Sequence, residues 1–207
     1  MDSKKEQIVR IALKRFSHYG FNKTSMNEIA MDLNITKANL YYYYPDKNAL
    51  IKDVLDYITG MLTQEELLQV DAYQGDVVAV LHKMLEIRAH YLREYYVLHI
   101  NESIEWIKGQ GIASLLMEMH LKNIEIVKQL FTKAIAYGEL IMADVEQSAV
   151  SFVEIFRGLS LIKSVDDIVS GMPNSNKVDE ILASQKAAID FIFSNKLNNI
   201  NKKKIII

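Results

Sequence analysis

The chain has 207 residues, 50% of them hydrophobic and 24% charged, enough apolar content for one or two domains with a sizeable core. The absence of cysteine excludes disulfides, thiolate metal sites and a cysteine nucleophile, and fits a reducing compartment. The net charge of −2 excludes a uniformly basic nucleic-acid binder, but the charge is uneven: residues 1–50 hold 8 basic and 5 acidic side chains, residues 51–207 hold 16 and 21. A mildly basic N-terminal part on an acidic body suits a small DNA-reading head, because phosphate contacts supply most of the affinity.

The N-terminus, MDSKKEQIVR, opens into a helical pattern without a secretory apolar region, and no stretch reaches the roughly 18 apolar residues of a membrane span. The expected address is cytoplasmic, with no membrane partner. Ser3-Lys4-Lys5-Glu6 has the form of a capping box, and the helix behind it carries Ile8, Ala12 and Phe16 on one face. Gly20 ends it and Phe21 folds back onto it. Ser25-Met26-Asn27-Glu28 is a second capping box, followed by Ile29, Ala30 and Leu33 at helical spacing. Asn34 tolerates the left-handed conformation that ends a helix, Ile35 packs between the two elements, and Thr36 caps a helix running from Lys37 to Tyr43 or Tyr44. Pro45 stops it, since the residue before proline is pushed away from helical angles. Helix, short turn, helix is the arrangement whose second helix enters the DNA major groove.

Asp46 is the expected cap of a fourth helix through Leu50, Val54, Ile58 and Leu62, starting with no flexible linker, so that its movement moves the head. Gly60 softens its far end. Residues 63–75 are polar and read as a connection. The stripe Val78, Leu81, Leu85, Ala89, Leu92 marks a long helix behind Asp76, and Tyr95 to Trp106 reads as a further one. Gly109 and Gly111 break the pattern. Ile112, Leu116, Met119, Ile126 and Leu130 mark the next long helix, closed by Tyr137-Gly138. Asp144 opens a helix to about Ser170, and Ser175 or Asn176 opens the last, to about Asn195. The tail from 198 to 207 lacks helical patterning and reads as disordered. Strand-type alternation is absent, so the expected fold is all-α with about nine helices. The expected organisation is a helix-turn-helix head over residues 1–47, an effector-binding and dimerisation domain over 48–197, and the tail.

In Phe152–Ile162 apolar residues fall on more than one face, which a helix lying on one core does not need. In the last helix Val178, Ile181, Leu182, Ile189 and Ile192 form one face, and Ala183 and Ala187 are small enough for close helix approach, so both helices need a second partner besides their own core. A two-fold homodimer through these helices is the economical explanation. It also brings two heads to two half-sites.

On the recognition helix, Leu40 points inward, with Tyr43 and Tyr44 near it as core or wedge residues whose phenol tips are wet. Lys37, Ala38, Tyr41 and Tyr42 fall on the other side, with Asn39 at the rim. Tyrosine hydroxyls donate to phosphate, a small Ala38 lets the helix seat deeply, and Asn39 can pair with adenine. Thr36 and Lys37 lie at the helix start. Thr24 and Ser25 sit at the N-terminus of the preceding helix, where free N–H groups suit a phosphate, and Lys47 can reach another. The candidate DNA-contacting set is therefore Thr24, Ser25, Thr36, Lys37, Ala38, Asn39, Tyr41, Tyr42 and Lys47.

These residues resemble the tetracycline-repressor (TetR) family over about residues 6–52. The likeness rests on the Phe16-to-Phe21 helix end, Ile29-Ala30, and the block Ile35-Thr36-Lys37-Ala38-Asn39-Leu40-Tyr41-Tyr42-Tyr43-Tyr44-Pro45-Asp46-Lys47-Asn48-Ala49-Leu50. Departures are Asn34 where glycine is usual, Ala38 for glycine, Tyr42 where histidine is common, and Tyr44 for phenylalanine. The resemblance implies a helical regulatory domain with a ligand cavity, and a four-helix dimer interface built from the last two long helices. It implies a dimeric regulator, a repressor released from a near-palindromic operator by a small apolar or amphipathic effector; the alternative is the same head acting without a small effector. Polar and aromatic residues of the middle helices, His90, Tyr95, His99, Glu102, Trp106, His120 and Phe152, are the candidates for effector contact, and Met84, Met117 and Met119 for an adaptable apolar lining. His99 and Glu102, one turn apart, lack a matching set for a metal. No cofactor is expected. No glycine-rich phosphate loop, nucleophile elbow or His-Glu-x-x-His string occurs, so no enzymatic activity is expected.

Overall fold

A computed structural model describes residues 3–95, 112–170 and 176–194. Among them the chain is all-α, with eight helices and no strand: α1 (Ser3–Tyr19), α2 (Met26–Asp32), α3 (Lys37–Tyr43), α4 (Lys47–Asp71), α5 (Val77–Glu94), α6 (Ile112–Ala136), α7 (Val145–Ser170) and α8 (Asn176–Phe193). The expected helix from Tyr95 to Trp106, the glycine break at 109–111 and the tail at 198–207 lie outside the described residues, Tyr95 itself excepted.

Short-range chemistry sets the head. α1 buries Ile8, Val9, Ala12, Leu13 and Phe16 on one stripe. Gly20, at φ 79°, donates its N–H to the Phe16 carbonyl at 2.7 Å and closes the helix. The reversal places the Phe21 ring edge-on to Phe16, centroids 5.1 Å apart, both fully buried. Ser3 is itself helical and Glu6 pairs forward with Arg10 at 2.8 Å, so the box expected at Ser3–Glu6 is replaced by an i,i+4 ion pair. The box at Ser25 is formed in both directions. Asn34 takes φ 52°, and Ile35 then packs against the head core. Thr36 caps α3 and Asp46 caps α4, each accepting a backbone N–H three residues on.

The fourth helix differs from expectation. It does not stop near Leu62 but continues through Gly60 and the polar run to Asp71, spanning about 37 Å. Its inward stripe steps by four: Leu50, Val54, Ile58, Leu62, Glu66, Val70. Glu66 belongs to that stripe because Arg88 of α5 neutralises it, so a carboxylate occupies a core position and the helix goes on.

Two apolar clusters result. The first joins α1, α2, α3 and α4 as far as Ile58 with Ile87 and Tyr91 of α5. The second joins Val70, α5, α6, α7 and α8 around Leu81, Leu130, Phe131, Phe156 and Ile189. Helix α4 contributes to both, packing on α1 in the head and on α5 and α6 in the body. α5 lies along α8, and α7 lies between α6 and α8. The buried Glu139, in the turn after α6, accepts the Val77 N–H at 3.0 Å and the Tyr73 hydroxyl, so it anchors the start of α5.

Candidate nucleic-acid interface

Leu40 seats α3. It is fully buried, so the opposite side of this seven-residue helix faces solvent: Lys37, Ala38, Asn39, Tyr41 and Tyr42 are all exposed, with Tyr42 at 82%. The Lys37 ammonium lies 5.7 Å from the centroid of the Tyr41 ring, a cation–π contact that orients both on the outer face. Tyr43 is half-buried and meets the Tyr42 ring edge-on at 5.2 Å. Tyr44 is 2% exposed, and its phenol is not wet: it donates to Asp53 of α4 at 2.9 Å. The tyrosine run is divided between surface and core along the expected line, with the tip of Tyr44 engaged by protein rather than by water.

Ser25 and Thr36 are exposed, and both are spent locally. The Thr36 hydroxyl accepts the Asn39 N–H at 3.1 Å. The Ser25 hydroxyl donates to Glu28 at 2.7 Å, and Glu28 also accepts the Ser25 N–H at 2.8 Å. A carboxylate therefore already sits at the N-terminus of α2, where a phosphate was expected. Arg15 of α1 counters it, pairing with Glu28 at 3.0 Å and with Asp32 at 2.7 Å. Thr24 departs from its expected place. It is buried, 2% exposed, and its hydroxyl donates to the Gly20 carbonyl at 2.9 Å, because the fold-back at Phe21 carries it inward. Lys47 is half-buried at the start of α4; burial lowers the pKa of its ammonium, and the charge of Glu28 partly offsets this.

The effector candidates do not gather at one place. His90 is exposed on the outer side of α5, edge-on to Tyr91. Tyr95 ends α5 and packs against the head core beside Tyr91. His120 is half-buried, with a buried Nδ1 that has no hydrogen-bond partner. His99, Glu102 and Trp106 lie outside the described residues. Two of the set line recesses, and different ones: His90 borders a recess of about 280 Å³ between α4 and α5, while Phe152 stacks on Phe156 at 4.2 Å and faces one of about 470 Å³ between the α6–α7 turn and the end of α8. Met84 is core packing, Met117 is exposed and Met119 packs on the head core, so the three share no lining. Among the described residues no group of three or more His, Asp or Glu could hold a metal.

A second cavity, of about 370 Å³, lies between α5, α7 and α8. Leu85, Leu92, Val153, Phe156 and Leu182 form much of its wall, and its polar lining is Arg88, Arg157, Ser160 and Gln185. None of these four was singled out from the sequence. Arg88 pairs with Glu66, through Nε and at 3.2 Å through Nη2, and Nη2 also donates to Asn123 at 3.3 Å. Burial disfavours the Arg88 charge, but the charge and hydrogen bonds of Glu66 outweigh this and hold its pKa above the ordinary value. One signal was available: Arg88 falls between Leu85 and Ala89 on the inward stripe of α5, where a charge must find a partner.

A short exposed helix, seated on a capped partner through a left-handed turn and joined directly to a long helix of the body, defines a helix-turn-helix DNA-binding regulator. Residues 8–54 match the family model described as bacterial regulatory proteins, tetR family, and over that head the chain is a helix-turn-helix unit of the TetR type. The HTH-type regulator YerO of Bacillus subtilis is 24% identical over 200 aligned positions, taking in 84% of this chain and 68% of that protein. YuxN, another HTH-type regulator of that organism, is 42% identical over 57 residues, 28% of this chain and only 20% of its own length. The crystal structure of a transcriptional regulator from Cytophaga hutchinsonii superposes with a TM-score of 0.79 at 27% identity, covering 95% of this chain and 99% of that one. No helix among the described residues is long and apolar enough to cross a membrane.

Proposed function

We propose that the protein is a homodimeric, effector-released repressor that binds a near-palindromic operator. In this reading residues 1–47 are the DNA-binding unit, 48–197 the effector and dimerisation unit and 198–207 a tail without a fixed partner. The observation that carries it is the continuity of α4, one helix whose first half is built into the head core and whose second half is built into the body. Any shift of its far end moves α3. A cavity of about 370 Å³ beside Arg88, the partner of Glu66 on α4, gives such a shift a cause, and it is of the size ligand sites have, about 300 Å³ or more. The same cavity disfavours a regulator that works without a small effector, whose core would be filled.

The DNA-contacting side chains in this reading are Lys37, Ala38, Asn39, Tyr41 and Tyr42 of α3, with Thr36 and Lys47 at the helix starts; Ser25, held by Glu28, is left out. Dimerisation uses the apolar surface that α7 and α8 leave uncovered: Ile155, Leu161, Ile162 and Val165, with Val169 and Phe191 each 82% exposed. A two-fold pairing there sets two α3 helices at half-sites about 34 Å apart.

Fluorescence anisotropy with the DNA upstream of its own gene tests the reading. Lys37→Ala combined with Tyr42→Ala is expected to weaken binding at least tenfold, with an unchanged melting temperature, since neither side chain is buried. Unchanged affinity would show that α3 does not read DNA through this face. Val169→Asp with Ile162→Asp is expected to yield monomers in light scattering.

A further inference from the structure

Among the described residues the α5–α7–α8 cavity is lined by two arginines and by no acidic side chain. Its other polar groups satisfy one another: Gln185 Nε2 donates to the Phe156 carbonyl at 3.1 Å and to Ser160 Oγ at 3.0 Å, and Ser160 Oγ donates to the same carbonyl at 3.1 Å. What is left to recognise a ligand is apolar wall and guanidinium. Arg157 is exposed at the cavity, without a carboxylate partner among the described residues. Arg88 uses Nε and Nη2 on Glu66 and Asn123, while its Nη1 has no protein acceptor among the described residues. A guanidinium carries five N–H donors in a planar fork, so an edge of Arg88 is available to an incoming anion.

We propose that this cavity takes an amphipathic carboxylate, an apolar chain whose anionic head is held by Arg88 and Arg157, and that Arg88 converts its arrival into movement of α4. The inference rests on the effector-released reading above and gives that effector its chemistry. A carboxylate on Nη1 shares the Arg88 charge that otherwise belongs to Glu66. Glu66 is fully buried on α4, so any weakening of its pairing loosens the contact that fixes the far half of α4 against α5. A neutral chain of the same length fills the same wall without drawing on Arg88, so it binds without the differential effect that shifts a two-state equilibrium.

The probes are decanoate, decanol and decyltrimethylammonium, each titrated into the full-length protein by calorimetry and into its complex with promoter DNA by anisotropy. Decanoate is expected to bind at least tenfold more tightly than decanol, with the quaternary amine weakest, and decanoate alone is expected to release DNA. Arg157→Met is expected to reduce the preference for decanoate while leaving decanol binding unchanged. Arg88→Met combined with Glu66→Met, which leaves no unpaired buried charge, is expected to abolish the preference and the release together. Decanol binding as tightly as decanoate, or releasing DNA as well, overturns the carboxylate assignment and leaves the effector-released reading standing. If none of the three binds, the carboxylate proposal falls, and the effector-released reading loses the cavity that supports it.

Discussion

The Tyr44 hydroxyl donates to Asp53 Oδ2 at 2.9 Å, tying the residue that ends the recognition helix to the second turn of α4. The bond spans the break at Pro45 and fixes the angle between the two helices. The Lys5 ammonium covers the Tyr44 ring from α1, 5.4 Å from its centroid. Burial, and then the hydrogen bond to Asp53, raise the pKa of the phenol well above its ordinary value, so it remains a neutral donor at any working pH. Tyr44→Phe keeps the ring and removes the bond. The expected loss is about 1.5–3 kcal/mol in urea denaturation, the range for a hydrogen bond to a charged group. DNA affinity should also fall, although Tyr44 faces the core. A loss near zero would mean that packing alone sets the angle.

Gly60 is an exposed glycine in the interior of α4, and a Cβ placed there would meet nothing within 4 Å. Glycine inside a helix costs about 1 kcal/mol relative to alanine, largely in backbone freedom. Gly60→Ala is therefore expected to raise stability by about 0.5–1 kcal/mol. It lies between the half of α4 in the head core and the half beside Glu66. Hydrogen exchange across residues 55–65 should slow, and effector-induced DNA release should weaken if α4 flexes at this point. Faster exchange in the variant would rule out Gly60 as the soft point.

The head was legible because its instructions are local. Ser25, Thr36 and Asp46 cap the N–H of the third residue on, and Asn34 tolerates a left-handed turn whatever the body does. The far half of α4 was not legible for the opposite reason. A reader of hydrophobicity stops at Leu62, since Glu66 counts as polar until Arg88, 22 residues away, is placed beside it. Thr24 shows the same limit on a smaller scale: its hydroxyl serves the Gly20 carbonyl only once Phe21 has folded back. Chemical type alone does not place an effector contact, because helix phase decides lining. His90 stands between the buried Ala89 and Tyr91 yet points outward, while Arg88 reaches the cavity.

Glu28 makes the head acid-sensitive. Its carboxylate accepts from the Ser25 hydroxyl, then from the Ser25 N–H, and pairs with Arg15; together these lower its pKa below the ordinary 4.5. A lowered folded-state pKa means stability that is complete above the unfolded value and is lost as pH falls through the folded one. Glu28→Gln lacks that contribution at every pH. The gap in melting temperature between wild type and variant should therefore be constant above about pH 5 and shrink below 4.5. A gap that widens on acidification would contradict the assignment of this carboxylate as the charged partner of Arg15.

The Glu66–Arg88 pair joins α4 to α5 where the head's helix enters the body, and it carries the heaviest penalty for being broken. The Glu66 side chain is 1% exposed and that of Arg88 28%. Glu66→Ala leaves the guanidinium without its counter-charge, but water reaches Arg88, so the cost belongs at the lower end of the range for a broken buried pair, about 3 kcal/mol. Replacing both with leucine removes both desolvation terms and should recover most of that loss, since apolar groups of similar bulk often substitute for a buried ion pair at little cost. The double variant should then fold as stably as wild type, or nearly so, while its head responds no longer to what enters the cavity. A double-mutant cycle in urea supplies the coupling energy directly. Additive single losses, with no coupling beyond about 0.5 kcal/mol, would show that α4 is held by its apolar stripe and that Arg88 does not carry the tie.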